Sequence, residues 1–493
     1  MSSALMTRGI MTSTINEKEY LARALSEIER RQYIDPTKYY EPANHKIEEF
    51  HRSTAKTRAL FGANRSGKTE SAIQELIWYL VGSHPFKQVP PPPVYWRVVV
   101  VDYGQLEKVV NEKLMRMLPK KLFIDGKWER SYNNRSHILT LTNGSKIDFM
   151  THEQPLLAFE GSARHGTLFD EEPPQDIYTS CIMRHADYDG ITLMAMTPLH
   201  GLTYTYDDIY LKSFSSKNVD AWTISIYENK FLTASAIEEI ESKITDNVDR
   251  QIRLYGKFMS RTGLVFKAFD PEVHVYKAPE TEDDSYYQWW DGRYPPHHWL
   301  HIIGIDPGWD HPTGVIWQAV DYNGDRWIYR EHKQSGWMPE DHADLIKAYN
   351  EQMGLKEVIY VIDSQARAIE QSTGSNVWAE YRNNDIICRL GTKKLLDGNL
   401  KLAEYMKVLT DKAGNKHTHY HVSNECPDFI SEIGKYQRAR TTPMNATERF
   451  LDKDNDLISA ARYANWEAEK LFAYDEDDAS REYERKGSKR TGY

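Results

Sequence analysis

Residues 59–71 read ALFGANRSGKTES. At their centre, Gly62-Ala63-Asn64-Arg65-Ser66-Gly67-Lys68-Thr69 sets four residues between two glycines and follows the second with Lys-Thr. A short apolar run, TRALF (57–61), precedes the loop, and TESAIQELIWYLVG (69–82) follows with helical spacing and a closing glycine. Strand, glycine loop and helix form the setting in which such a loop holds a triphosphate. Glycines let successive backbone N–H groups turn inward around phosphate oxygens, and the helix beginning near Gly67 adds its positive end. Lys68 is expected to neutralise the β- and γ-phosphates of ATP and Thr69 to ligate Mg²⁺. Gly62, Arg65, Ser66 and Gly67 complete the expected cradle.

Working outward, the run GTLFDEE (166–172) ends an apolar strand in two acids. Asp170 is expected to hold Mg²⁺ through water at the carboxyl end of its strand, where ligands bind in such sheets. Glu171 is expected to orient and deprotonate the attacking water. Thr197, at the tip of ITLMAMTP (191–198), is a candidate sensor of the γ-phosphate. Catalysis of this kind often draws a cation from a neighbouring subunit; Arg164 in FEGSARHG and Arg65 are the candidates. Further strands are expected in WRVVVVDY (96–103) and in a hairpin, HILTLTNGSKIDFMT, around Asn143-Gly144. GQLEKVVNEKLMRML is expected to be a helix. Strands alternating with helices predict an α/β domain with a mostly parallel sheet.

The chain has 493 residues and a net charge of −10, so it has length for two or three domains and no global attraction to nucleic acid. Its three cysteines, Cys181, Cys388 and Cys426, lie far apart, which argues against a disulfide framework or a cysteine zinc site. No apolar run is long enough to span a membrane, and no secretory signal is evident.

The second half reads differently. HWLHIIGIDPGWDHPTGVIWQAVDYNGDRWIYREH predicts three hairpin-linked strands, MPEDHADLIKAYNEQMG a helix, and EVIYVIDS a fourth strand. That order is the order of an RNase H-like nuclease with a mixed sheet. Asp306 ends the first strand, Asp363 ends the fourth, and Asp456 lies in the first turn of a later helix, LDKDNDLISAARYANW. Carboxylates from separate elements suit two hard cations, about 4 Å apart, that clamp the attacking and leaving oxygens of a phosphodiester. Asp306, Asp363 and Asp456 are therefore the expected nuclease ligands, for Mg²⁺ with Mn²⁺ as a substitute. Asp310 is close enough in sequence to assist.

A P-loop ATPase followed by an RNase H-like nuclease resembles the large terminase subunit of tailed bacteriophages. HGTLFDEEPPQDIY resembles the acid motif of terminases from short-tailed, headful-packaging phages, and TPLHG their coupling motif. IRLYGKFMSRTGLVF is similar to their domain junction; IDPGWDHP and NDLISAARYA are similar to their nuclease motifs. The resemblance spans about residues 40–466. It implies ATP-driven translocation of double-stranded DNA into a procapsid by a homo-oligomeric ring docked on a portal protein. It also implies cutting of concatemeric DNA at the start and end of packaging, selection of that DNA by a small terminase subunit, and a site of action in the host cell cytoplasm. Two positions depart from the family. Ile47 stands where a glutamine often reads adenine, and Ser459-Ala460-Ala461-Arg462-Tyr463 replaces the family's Asp-Ala-x-Arg-Tyr. The third metal ligand is accordingly placed one turn earlier, on Asp456, with Asp454 as the fallback.

The expected domains are an N-terminal helical segment (1–40), the ATPase (41–225), a linker or lid (226–295), the nuclease (296–470) and a polar tail (471–493). His417, His419 and His421 alternate in HTHYH, which reads as an exposed hairpin edge in preference to a metal site. Two other functions compete: a DNA-repair helicase-nuclease, which requires a second motor lobe, and a translocase whose second half binds DNA without cutting.

Overall fold

The computed structural model describes residues 17–471 apart from 245, 260–263, 279–292, 310, 369–375, 443–444 and 451–454. The polar tail, Asp310 and Asp454 fall outside the described residues. Within the expected N-terminal segment, Glu17–Ile34 is a helix. The chain forms two units: one comprises the residues up to Leu199 with Asn218–Phe258, the other His200–Lys217 with Met259 onward. The expected linker is thus shared, 226–258 folding with the first unit and the rest belonging to the second.

The first unit is built on an eight-stranded sheet. Across it run Tyr132–Asn133, Ile138–Thr140, Lys146–Thr151, Tyr95–Val100, Gly166–Asp170, Ile191–Met196, Thr57–Gly62 and Val219–Ile224. The strands from Lys146–Thr151 onward in that order pair parallel, and the hairpin about Asn143-Gly144 supplies the antiparallel edge. The edge strand Val219–Ile224 was not foreseen, because VDAWTI is half-exposed over four of its six residues and lacks a buried apolar run. The helix Lys68–Val81 buries Ile73, Leu76, Ile77 and Leu80 against Leu60, Val98 and Leu168 of the sheet, and Gly82 ends it in the left-handed region at φ 75°.

One buried charge cluster fixes that helix. Glu75 is fully buried; it forms an ion pair with Arg58 and meets His51 Nδ1 at 2.7 Å, His84 Nε2 at 3.1 Å and Lys87 Nζ at 2.8 Å. Burial alone would raise its pKa, but Arg58 and the two histidines hold it well below the usual carboxylate range.

The second unit carries a seven-stranded mixed sheet ordered Cys388–Leu390, Ile359–Ile362, Leu300–Asp306, Thr313–Val320, Arg326–Gln334, Tyr420–Ser423 and Val275–Tyr276. The three central strands are antiparallel hairpins, and Ile359–Ile362 pairs parallel to Leu300–Asp306, as expected. Alternation along Leu300–Asp306 divides its neighbours: Ile303 and Ile305 pack with Ala343 and Ile346 of the helix Pro339–Gln352. Ile302, on the other face, packs with Tyr463, Ala464 and Ala468 of the helix 456–471. This unit also holds the strap His200–Lys217, which follows directly on the strand tip at Thr197. Ser431 Oγ donates to Asp207 at 3.0 Å, Lys435 pairs with the same carboxylate, and Asn424 Nδ2 donates to Phe214 O at 2.6 Å.

Candidate functional site

Every parallel strand in the first unit points its carboxyl end to the same edge, and the loop after Gly62 lies there. Gly67 begins the helix at φ 93°, and Arg65 sits exposed at φ 63°. Lys68 is buried with Nζ donating to Ala63 O at 3.3 Å and lying 4.0 Å from Glu171 Oε1. Burial lowers its pKa, partly offset by Glu171 and Asp170. Thr69 Oγ1 donates to Asp170 Oδ1 at 2.8 Å. Burial pushes the Asp170 carboxyl upward, against the pull of Thr69 and Lys68. Glu171 occupies φ 78°, a costly conformation for a residue with a side chain, and its Oε2 accepts the Thr197 N–H at 2.9 Å. Thr197 Oγ1 donates to Asn64 Oδ1 at 3.2 Å. The strand carrying Thr197 lies between the P-loop strand and the acid strand, so these contacts tie loop, acid and sensor position together.

Several members of this site were missed by sequence reasoning. Gln105 Nε2 donates to Asp170 Oδ2 at 2.8 Å. It stands where a helical run opens into a π-type turn, Leu106–Asn111, a feature frequent at functional sites. From 226–258, Asn229 Nδ2 donates to Arg65 O at 2.7 Å and Arg253 O accepts the Asn64 N–H at 3.2 Å. Gly256, at φ 69°, presses so close that a Cβ there would lie 2.7 Å from Gly62 Cα. Half of the expected lid is therefore a wall of the loop. Arg164 is not brought to this edge. It precedes the acid strand at its amino end, six residues and roughly 20 Å from Asp170, and it clasps Asp148 at 2.8 and 2.9 Å. Ile47 is a fully buried core residue whose Cδ1 would lie 3.7 Å from a Cβ at Gly67.

The second constellation is a row across the second sheet. Asp306 pairs with Gly314, and Gly314 with Lys333, so the three residues share one face. On the other side Ile305 pairs with Ile362, and Asp363 follows with its N–H donating to Ile305 O at 3.2 Å. The bare Cα of Gly314 admits the helix start: a Cβ there would lie 2.6 Å from the Asp456 carbonyl. Asp456 is thereby set above the row, between Asp306 and Lys333. Its carboxylate lies 3.1 Å from His311 Nδ1 and 3.5 Å from Lys333 Nζ. Burial, reinforced by the Asp363 and Asp456 charges, raises Asp306 well above its ordinary value, with Arg462 opposing. Tyr463 OH donates to Asp306 Oδ1 at 3.5 Å, and Arg462 Nη2 donates to Ser459 Oγ at 3.3 Å. Ser459, at the family's aspartate position, is thus an internal partner of Arg462.

Glu432 was also missed. Buried in the helix Pro427–Lys435, it accepts the N–H groups of Leu457 and Ile458 at 3.0 and 3.2 Å and receives Lys333 Nζ at 2.6 Å. No group of three His, Cys, Asp or Glu side chains is disposed to hold one ion among the described residues. The aspartates therefore do not converge on a single point. A small hard dication takes one or two carboxylates and completes its shell with phosphate oxygens and water, and Asp306 flanked by Asp363 and Asp456 provides for that. Of the alternating histidines, His417 pairs with Leu409 in a short hairpin, and His419 Nδ1 lies 2.6 Å from Asp325.

A phosphate-cradling loop on a parallel sheet and a carboxylate row on an RNase H-like sheet define a motor ATPase joined to a nuclease. Residues 59–273 match the family model "Terminase large subunit, T4likevirus-type, N-terminal", and residues 303–467 match "Terminase RNaseH-like domain". Together they span more than three quarters of the sequence, and the chain belongs to the large terminase subunit family. It is 22% identical over 444 residues to the terminase large subunit of Salmonella phage P22, covering 82% of each chain. Among solved structures, the large terminase of a thermophilic bacteriophage is similar at 15% identity and a TM-score of 0.39, over 86% of this chain and 98% of that one. The large terminase nuclease domain of bacteriophage SPP1 with bound Mn is similar at 17% identity and a TM-score of 0.26, over 34% of this chain and 84% of that one.

Proposed function

We infer that this chain is the motor and nuclease of viral genome packaging: it hydrolyses ATP to drive double-stranded DNA into a procapsid and cuts the DNA that it packages. The observation that carries the reading is the presence of two chemically complementary centres in one chain of this family. In the first, the backbone N–H groups of 67–69 at the helix start and Lys68 would hold the phosphates. The Ser66 hydroxyl, buried and without a protein partner among the described residues, suits a phosphate oxygen. Thr69 and Asp170 would hold Mg²⁺, and Glu171, poised by Thr197, would take the proton from water. Arg65, exposed on the loop, is free to reach a phosphate. Arg164 would act on a neighbouring subunit only after leaving Asp148.

In the second centre, Asp306, Asp363 and Asp456 would hold Mg²⁺ or Mn²⁺, which supply Lewis acidity and a water nucleophile when bound. The natural partners of this activity are a portal protein, a small terminase subunit and further copies of this chain in a ring, within the host cell cytoplasm. No helix among the described residues is long and apolar enough to cross a membrane. A repair helicase-nuclease would require a second motor sheet; the described residues form one eight-stranded motor sheet and one seven-stranded RNase H-like sheet, beside two short hairpins.

The test is divalent-dependent plasmid cleavage by the wild type beside Asp363→Ala. Cleavage is expected with Mn²⁺ or Mg²⁺ and to vanish in the variant. Survival of cleavage in Asp363→Ala would sink the nuclease assignment and leave a translocase.

A further inference from the structure

Lys333 has no part in the expected ligand set, yet it is the fourth member of the row Asp363, Asp306, Gly314, Lys333. Antiparallel pairing of Gly314 with both Asp306 and Lys333 places the ammonium and the first carboxylate on the same face, two strands apart. Adjacent strands lie about 4.8 Å apart, so the two backbones are separated by about 10 Å. The Asp456 carboxylate stands between them, because only glycine at 314 lets the helix start settle there. Lys333 is not a loose surface lysine. Glu432 Oε1 holds its Nζ at 2.6 Å, while Glu432 Oε2 is spent on two N–H groups at the start of the Asp456 helix. A single buried carboxylate therefore fixes both the helix that delivers Asp456 and the cation that faces it. Among the described residues, His311 approaches the opposite carboxylate oxygen, Oδ1, and Arg462 lies on the Asp306 side.

We propose that Lys333 is a positioning residue of the nuclease centre, whose fixed positive charge aligns Asp456 and tempers the affinity of that side of the site for a divalent cation. The physics is Coulombic. A dication bound between Asp306 and Asp456 lies within several ångströms of the ammonium, and even at high effective dielectric that repulsion is a substantial part of the binding free energy. The consequence for function is selectivity in time: the ion on the Asp456 side binds firmly only when a phosphodiester adds its own negative oxygens. A lysine here restrains the nuclease until DNA is seated.

The inference rests on the reading of Asp306, Asp363 and Asp456 as metal ligands, and one experiment separates the two. Nucleotide-free full-length chain is titrated with Mn²⁺, with free Mn²⁺ followed by electron paramagnetic resonance. Wild type, Lys333→Met, Lys333→Gln, Lys333→Arg and Asp363→Ala are compared, each checked for an unchanged thermal transition. Lys333→Met is expected to bind Mn²⁺ about ten-fold more tightly, with Lys333→Gln behaving alike and Lys333→Arg restoring the wild-type value. The Mn²⁺ concentration for half-maximal plasmid cleavage should fall in parallel. Binding unchanged or weakened in Lys333→Met overturns the proposal, as does a fall in maximal cleavage with unchanged metal affinity, which would make Lys333 a phosphate contact. Should Lys333→Met misfold, Lys333→Gln decides by the same criterion. Asp363→Ala binding Mn²⁺ as the wild type does would instead overturn the metal-site reading beneath it.

Discussion

The two centres solve opposite electrostatic problems. The motor site is built from donors arranged for an anion, and its acids are already satisfied from within: Asp170 receives Thr69 and Gln105, and Glu171 receives the Thr197 N–H. The nuclease site is built from acceptors crowded together. Asp306 is raised by burial and by its own neighbours, and the hydrogen bond it receives from Tyr463, at 3.5 Å, is long. The first is arranged for an anionic substrate; the second carries a standing repulsion that a bound cation would relieve. Function is drawn from satisfaction in one case and from frustration in the other.

The strongest test of this contrast is separability. Glu171→Gln should lower ATP turnover by about 10³-fold while plasmid cleavage stays within two-fold, and Asp363→Ala should do the reverse. Loss of both activities in either variant would mean that the two centres are not chemically independent. Next in size is the opposite sign of two alanine substitutions. Asp170→Ala leaves two half-buried donors, Thr69 and Gln105, without that acceptor and should cost about 1 kcal/mol. Asp306→Ala removes a repelled charge and, in chelator at neutral pH, should gain on the order of 1 kcal/mol. Denaturant unfolding of each variant decides it; destabilisation in both would erase the distinction.

A smaller effect is expected from Gln105→Ala, which removes a single bond to Asp170. ATP turnover should fall by roughly ten-fold, consistent with one hydrogen bond to a charged group, and Gln105→Glu should be worse by adding a second negative charge. Smallest is a pH effect from Glu331, whose carboxyl burial pushes up to about 8 even though it accepts the N–H groups of Phe429 and Asp428. A carboxyl with a raised folded pKa binds more protons folded than unfolded between about pH 4.5 and 8. Its contribution is complete below that window and declines as pH rises through it. Glu331→Gln should therefore flatten the fall in melting temperature between about pH 5 and 8; an unaltered slope would assign that fall to other groups.

The motor site was largely legible because its parts are contiguous in sequence. A glycine loop between strand and helix needs no tertiary information, and the acid pair closes an apolar strand. What was not legible entered from the side. Gln105 and Asn229 act through short polar contacts that any surface residue could make, and Gly256 matters only because another backbone lies against it. The nuclease aspartates could be placed on their elements because each ends a strand or starts a helix. Glu432 and Lys333 could not, since their meaning depends on pairing register and on a helix seated over Gly314. Arg164 shows the converse: a residue near a motif in sequence stands at the far end of the strand in space.

The strap at His200–Lys217 has a practical consequence. The polypeptide enters the second unit, returns to complete the edge of the first sheet with Val219–Ile224, and leaves again after Phe258. The two bodies are therefore stitched by three crossings, and no single scission yields both halves whole. A fragment beginning at Met259 would lack the ribbon that Asn424, Ser431 and Lys435 grip, and one ending at Phe258 would trail that ribbon without its seat. Dissection of this engine calls for a spliced or co-expressed ribbon in place of a simple truncation.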